Sequence, residues 1–187
     1  MKKFLVSAVL SASLFSYLNA ASIDKNTLTI NFEGYKTANM IATAGTVKNP
    51  KYTFGKDESS IKGLLNGATA TFSPKNIDMG VELITNNIVN VFFKTLNGGK
   101  DVDVKITNVI EGDNQGSLTA KVSIGGQYET VGLHYTIKDG KFEAKGVLDL
   151  FAFKNSEQAL IDLAKAAPGH AGISWSIVEI TLSAKAK

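Results

Sequence analysis

The clearest signal along the chain is a series of segments in which apolar and polar side chains alternate with period two, the pattern of a strand with one buried and one wet face. Val102, Val104 and Ile106 alternate with Asp101, Asp103 and Lys105, and Leu118, Ala120, Val122 and Ile124 with Thr119, Lys121 and Ser123. Val131, Leu133, Tyr135 and Ile137 interleave with Gly132, His134, Thr136 and Lys138, and Asp139-Gly140 follows. Asp-Gly between alternating runs predicts a tight hairpin, because both turn residues must accept positive φ. The return strand is expected from Lys141 to about Leu150. Earlier strands are expected at Thr27–Phe32, Met40–Val47 and Ala68–Ile77, and a last one at Ile173–Ala184. In that last segment the apolar phase changes: Ile173, Trp175 and Ile177 share one face, Val178, Ile180 and Leu182 the other. Either a bulge near Ile177 re-aims the side chains or the strand is buried on both faces.

Two segments depart from the strand rhythm. From Asn155 to Ala167, a capping Asn155 or Ser156 precedes Leu160, Leu163, Ala164 and Ala167 on one face, and Pro168-Gly169 closes the run. This predicts an amphipathic helix of about three turns. A weaker helical piece is expected between Glu82 and Thr95, against the preference of its Asn and β-branched residues. No repeat or linker divides the chain. Seven or eight antiparallel strands with one or two short helices predict an all-β domain, a closed barrel or a sandwich. Closure removes exposed edges, and roughly eight strands leave an interior that side chains fill or one ligand occupies.

The ends change this picture. Met1-Lys2-Lys3, an uncharged apolar stretch from Phe4 to Leu18, and the small Ala20, Ala21 and Ser22 have the form of a secretory signal peptide. The apolar stretch falls short of the roughly 20 residues a membrane-spanning helix needs. Residues 1–20 are thus expected to be cleaved, with 21–187 forming the barrel domain; a cut after Ala21 is the alternative. No cysteine exists to carry a lipid anchor or a disulfide, so stability must come from a packed core. Without the leader, 18 lysines face 17 acidic residues, a balance with no electrostatic footprint for nucleic acid. All 20 basic residues of the full chain are lysine, so the residue best suited to fork-shaped recognition of phosphate or carboxylate is missing.

Several stretches carry a family resemblance. Ser22-Ile23-Asp24 stands before the first strand; Leu65 to Phe72 reads LNGATATF, followed by Ile77-Asp78-Met79-Gly80 and the paired Phe92-Phe93; Gly116 to Gly126 reads GSLTAKVSIGG and leads into Val131-Gly132-Leu133; and Trp175 to Ala184 closes the chain. In order and spacing over about 160 residues these resemble the YceI-like proteins. The resemblance implies an eight-stranded, antiparallel, lipocalin-like barrel with one or two short helical insertions. It also implies export to the bacterial periplasm, and an apolar interior holding a polyisoprenoid, an isoprenoid quinone or a fatty amide. It implies no catalysis; no cofactor beyond the bound lipid is expected, membrane contact is expected to be at most transient, and a homodimer is left open. The family's arginine-aspartate pair before the double phenylalanine is replaced by Ile84-Thr85-Asn86-Asn87, and the histidine that often follows is missing.

That departure bears on the head group more than on retention. Burying a methylene contributes roughly 0.8 kcal/mol, so a chain of about twenty carbons gains on the order of 16 kcal/mol, against an association cost of roughly 4–15 kcal/mol. A charge-assisted hydrogen bond adds about 1.5–3 kcal/mol. The expectation from sequence is therefore a neutral or amide head group in preference to a diphosphate.

The residues expected to line the interior are Phe32, Phe54, Phe72, Phe92, Phe93, Leu133, Tyr135, Phe142, Phe151, Phe153 and Trp175, since large flat side chains line an apolar tunnel at little polar cost. Ordinary core is the competing role for each. Adjacent Phe92 and Phe93 should point differently, and Ala42, Ala44, Ala68, Ala70 and Ala120 would leave room by lacking bulk. His134 falls on the polar phase of its strand and His170 in a loop after Pro168-Gly169. Neither has the companions a zinc site takes, and no Gly-x-Ser-x-Gly elbow occurs. Asp101 and Asp103 fit an exposed strand face better than a catalytic pair. Two other classes compete with the carrier: an outer-membrane barrel, which calls for an apolar exterior, and a small hydrolase or isomerase using His134.

Overall fold

The computed structural model describes residues 21–187, so the expected signal peptide lies outside the described residues. Ten antiparallel strands form one curled sheet: β1 Thr29–Lys36, β2 Ile41–Val47, β3 Lys51–Thr53, β4 Thr69–Phe72, β5 Ile77–Asp78, β6 Val102–Glu111, β7 Gln115–Ile124, β8 Gln127–Lys138, β9 Lys141–Asp149 and β10 Ser174–Lys185. Their order is β3-β4-β6-β7-β8-β9-β10-β1-β2-β5. The count is ten rather than the expected eight because two strands are interrupted. β2 pairs with β5 at Val47 and Ile77, while β3 pairs with β4 from Lys51 and Thr71 onward. Between these two short ladders the Lys48 N–H donates to the Asn76 carbonyl at 2.7 Å. Residues 41–53 therefore run beside residues 69–78, and the ten strands occupy eight positions around the curl.

Both interruptions have local causes. Pro50 has no N–H to give a ladder, and Asn49 before it sits at φ 48°. Pro74 opens a single 3-10 turn, Pro74–Asn76, whose start is held by a reciprocal box: the Ser73 side chain accepts from the turn and the Asn76 side chain accepts from the Ser73 N–H. The expected continuous strand Ala68–Ile77 is thus two strands. The Asp139-Gly140 hairpin forms as expected, at φ 52° and 70°. In the closing strand the β1–β10 register shifts between Gly34↔Val178 and Lys36↔Ser174, and across that irregularity Trp175 lines the same interior as Val178, Ile180 and Leu182.

Helices close the two ends unequally. α1, Ile61–Leu65, is capped by the Ser60 hydroxyl and buries Ile61, Leu64 and Leu65 in one end. Ile23, bridged to Ala186, fills in beside it, together with Val109, Leu118, Tyr135, Phe142 and Ala184. At the other end lies the helical piece expected between Glu82 and Thr95. It forms α2 Glu82–Asn87 and α3 Phe93–Asn97, joined by a π turn over Ile88–Phe92. The amphipathic helix α4, Ser156–Ala166, packs against it and buries Leu160 and Leu163. The Thr95 hydroxyl donates to Asp162 at 3.0 Å across that contact.

Candidate functional site

Between the packed end and the helical end the barrel holds a cavity of about 350 Å³, toward the lower end of the range of small-molecule sites. Its wall follows from strand alternation. Ile30, Phe32 and Gly34 of β1, Val102, Val104 and Ile106 of β6, Ala120, Val122 and Ile124 of β7, Val131 and Leu133 of β8, and Val178, Ile180 and Leu182 of β10 all face it. Leu160 and Leu163 of α4 and Ile84, Ile88, Phe92 and Phe93 of the other helical piece form its roof. It reaches the surface where the exposed Leu83, Pro168 and Gly169 line it.

Six of the eleven expected lining residues do line the cavity: Phe32, Phe72, Phe92, Phe93, Leu133 and Trp175. The π turn, a local widening often found at functional sites, brings both adjacent phenylalanines inward, their rings edge to face with centroids 5.1 Å apart. Phe32 crosses toward β2 because Gly45 has no side chain: a Cβ there would overlap its ring and lie 2.6 Å from the Met79 sulfur.

The other five do not line it. Tyr135 and Phe142 face inward as alternation requires, but at the packed end, where their rings stack at 5.2 Å with nothing between. Phe54 pairs with Tyr52 at 5.3 Å against the same core. Phe153 is buried with the core just before α4, and Phe151, in the 3-10 turn Leu150–Ala152, is 61% exposed. Period two gives the face of a strand and not the depth along it, and the last two lie beyond the end of β9. Among the small residues, Ala120 lines the cavity, Ala68 and Ala70 are buried elsewhere, and Ala42 and Ala44 are exposed.

A polar edge was not anticipated. Lys36, Thr43, Asn87, His170 and Ser174 all line the cavity. His170 Nδ1 lies 2.7 Å from the Ser174 hydroxyl. Burial, and then the Lys36 charge, hold its imidazole pKa below the ordinary value. Trp175 donates from Nε1 to the Thr37 carbonyl at 2.7 Å, which fixes its ring at this edge. The readable signal was Lys36 itself, which continues the inward phase of Ile30, Phe32 and Gly34. Its meeting with His170 and Ser174 depends on a pairing between distant parts of the chain.

His134 is exposed on the polar face of β8, opposite Lys145 and away from the cavity. Among the described residues no three His, Cys, Asp or Glu side chains group as metal ligands, and no helix is long and apolar enough to cross a membrane.

Neither family models nor curated proteins match the chain, whereas solved structures do. BcnA of Burkholderia cenocepacia superposes with a TM-score of 0.58 at 16% identity, over 88% of this chain and 99% of its own. A polyisoprenoid-binding domain from Saccharophagus degradans, implicated in plant cell wall breakdown, gives 0.55 at 12% identity over 90% and 99%. The YceI protein of Campylobacter jejuni gives 0.52 at 18% identity over 66% and 77%. The chain has the YceI fold. The YceI barrel also explains the sequence stretches that suggested it: LNGATATF contains β4, and GSLTAKVSIGG is β7 running into its turn. The expected lipocalin-like, all-β architecture thus stands, with its helices more numerous than the one or two foreseen.

Proposed function

We propose that this protein binds a single long lipid chain, isoprenoid or fatty, inside the barrel and serves as its carrier. The observation that carries this reading is the cavity: an apolar chamber within the sheet, roofed by Leu160, Leu163, Phe92 and Phe93 and open to the surface at Leu83 and Pro168. The fold shared with a polyisoprenoid-binding domain supports it. So does the contrast between wall and exterior: outside lie Asp103, Lys105, Thr119, Lys121, His134, Lys141 and Lys145, the reverse of a lipid-facing barrel whose apolar band is outermost. The N-terminal charge, apolar stretch and small residues support export to the periplasm, where a carrier would give an apolar molecule a dry route through water. His170 and Ser174 meet at the cavity edge, and the reading assigns no reaction to them.

Mass spectrometry of an organic extract from protein purified without added lipid tests the proposal. A bound long-chain molecule, together with displacement of an apolar fluorescent probe by isoprenoid or fatty chains, is the expected result. An empty extract and no displacement would overturn it.

A further inference from the structure

The cavity wall contains one fully charged side chain, Lys36, and no Asp or Glu. Lys36 is half-buried and takes no part in the ion pairs among the described residues, which join Lys25 to Glu58, Lys48 to Asp78, and Lys141 and Lys145 to Glu143. Its ammonium reaches the Pro168–His170 turn, where a side chain added at Gly169 would meet Nζ at 3.7 Å. Its charge is felt by the His170 imidazole. Two residues back along the same inward row, Gly34 stands opposite Thr43. Thr43 lines the cavity, and its hydroxyl oxygen is buried with no hydrogen-bond partner. A buried hydroxyl without a partner is unfavourable unless something polar joins it, and Lys36 brings a positive charge to the same edge.

We propose that this edge takes the head group of an anionic amphiphile, a carboxylate or a phosphate borne on the chain held inside. Lys36 pairs with the anion, the Thr43 hydroxyl donates to it, and the His170–Ser174 pair bounds its outer side. The inference rests on the lipid-carrier reading of the same cavity and reverses the preference for a neutral head group drawn from the missing arginine. That expectation weighed the segment before Phe92-Phe93; the charge comes instead from the end of β1.

The test uses three amphiphiles of equal chain length, palmitic acid, cetyl phosphate and palmitamide, titrated into the delipidated full chain at near-physiological salt. The expected result is that an anionic lipid binds about tenfold tighter than palmitamide, equivalent to about 1.4 kcal/mol; whether the acid or the phosphate leads tells which head group is preferred. K36Q is expected to bring the anions down to within about twofold of the amide. T43V narrows the gap to about threefold and serves as an independent variant if K36Q folds poorly in a thermal melt. K145Q removes an equal charge from the outer face and should leave the gap intact. Palmitamide binding as tightly as both anions, or a gap that survives K36Q and T43V, would overturn the anionic head group and leave the carrier standing. Failure of all three to bind would instead bring down the carrier reading, and this one with it.

Discussion

The two ends of the barrel are built from the same alternating strands, yet one is solid and the other hollow. At the solid end the axis is filled by Tyr135, Phe142 and the α1 residues Leu64 and Leu65, all nearly inaccessible. Gly116 makes this possible, since a Cβ there would fall 2.6 Å from the Tyr135 ring. At the hollow end Gly34, Thr43, Ala120 and branched aliphatics leave space between the aromatic Phe32, Phe72 and Trp175 on the wall, and α4 lies across the opening. A barrel of this size has room for either outcome. What decides between them is the volume placed at inward positions and whether a helix inserts or bridges.

Several substitutions would sharpen or break that contrast. Phe142→Ala should have the largest effect on stability, about 3–5 kcal/mol, because it empties a site in close-packed surroundings; urea unfolding would show it, and lipid affinity should stay within about twofold. Enlarging an alanine should distinguish the ends more directly. Ala144→Phe, in the solid end, is expected to cost about 1–3 kcal/mol by overpacking. Ala120→Phe should cost under about 1 kcal/mol, since its ring enters open space, but weaken lipid binding more than about tenfold. Equal destabilisation by the two would mean that the hollow end is not hollow.

Smaller effects separate the polar edge from the outer face. The folded-state pKa of His170 is depressed, so between that value and 6.5 the unfolded chain binds more protons. The stability due to neutral His170 is therefore complete above pH 6.5 and is lost as pH falls below it. His170→Gln should flatten the urea midpoint over that window and leave the fall at lower pH, where Asp57, Glu58, Asp78 and Glu143 protonate from depressed values. The smallest change is expected from Glu143→Gln on the exterior, which removes the exposed pairs to Lys141 and Lys145 and should cost less than about 1 kcal/mol.

The strands β6 to β9 were legible in type and face, because one wet and one buried face write period two directly into the chain, but not in extent: β6 runs past Ile106 to Glu111 through a register shift, and β7 and β8 begin at Gln115 and Gln127, ahead of the alternations from Leu118 and Val131. α4 was legible for the same reason at helical period. The interruption after Phe72 was less so: Ser73-Pro74 signals a turn, but that β5 resumes the same course depends on β2 beside it. The cavity was legible as a class of interior and not as a place. Phe32 and Phe142 occupy equivalent inward phases, and only the tertiary position of α1 and α4 makes one a wall residue and the other filling. His170 could not be assigned for a similar reason, since its neighbour Lys36 comes from the far end of the chain.

The ladder between β1 and β10 joins Thr29 to Ser183. β1 can pair with β2 as soon as both exist, but β2 to β9 must all be made before it meets its second partner, and such distant pairings form slowly. Until then β1 and β9 each present a raw edge. Until that last ladder closes, the chain is thread rather than vessel.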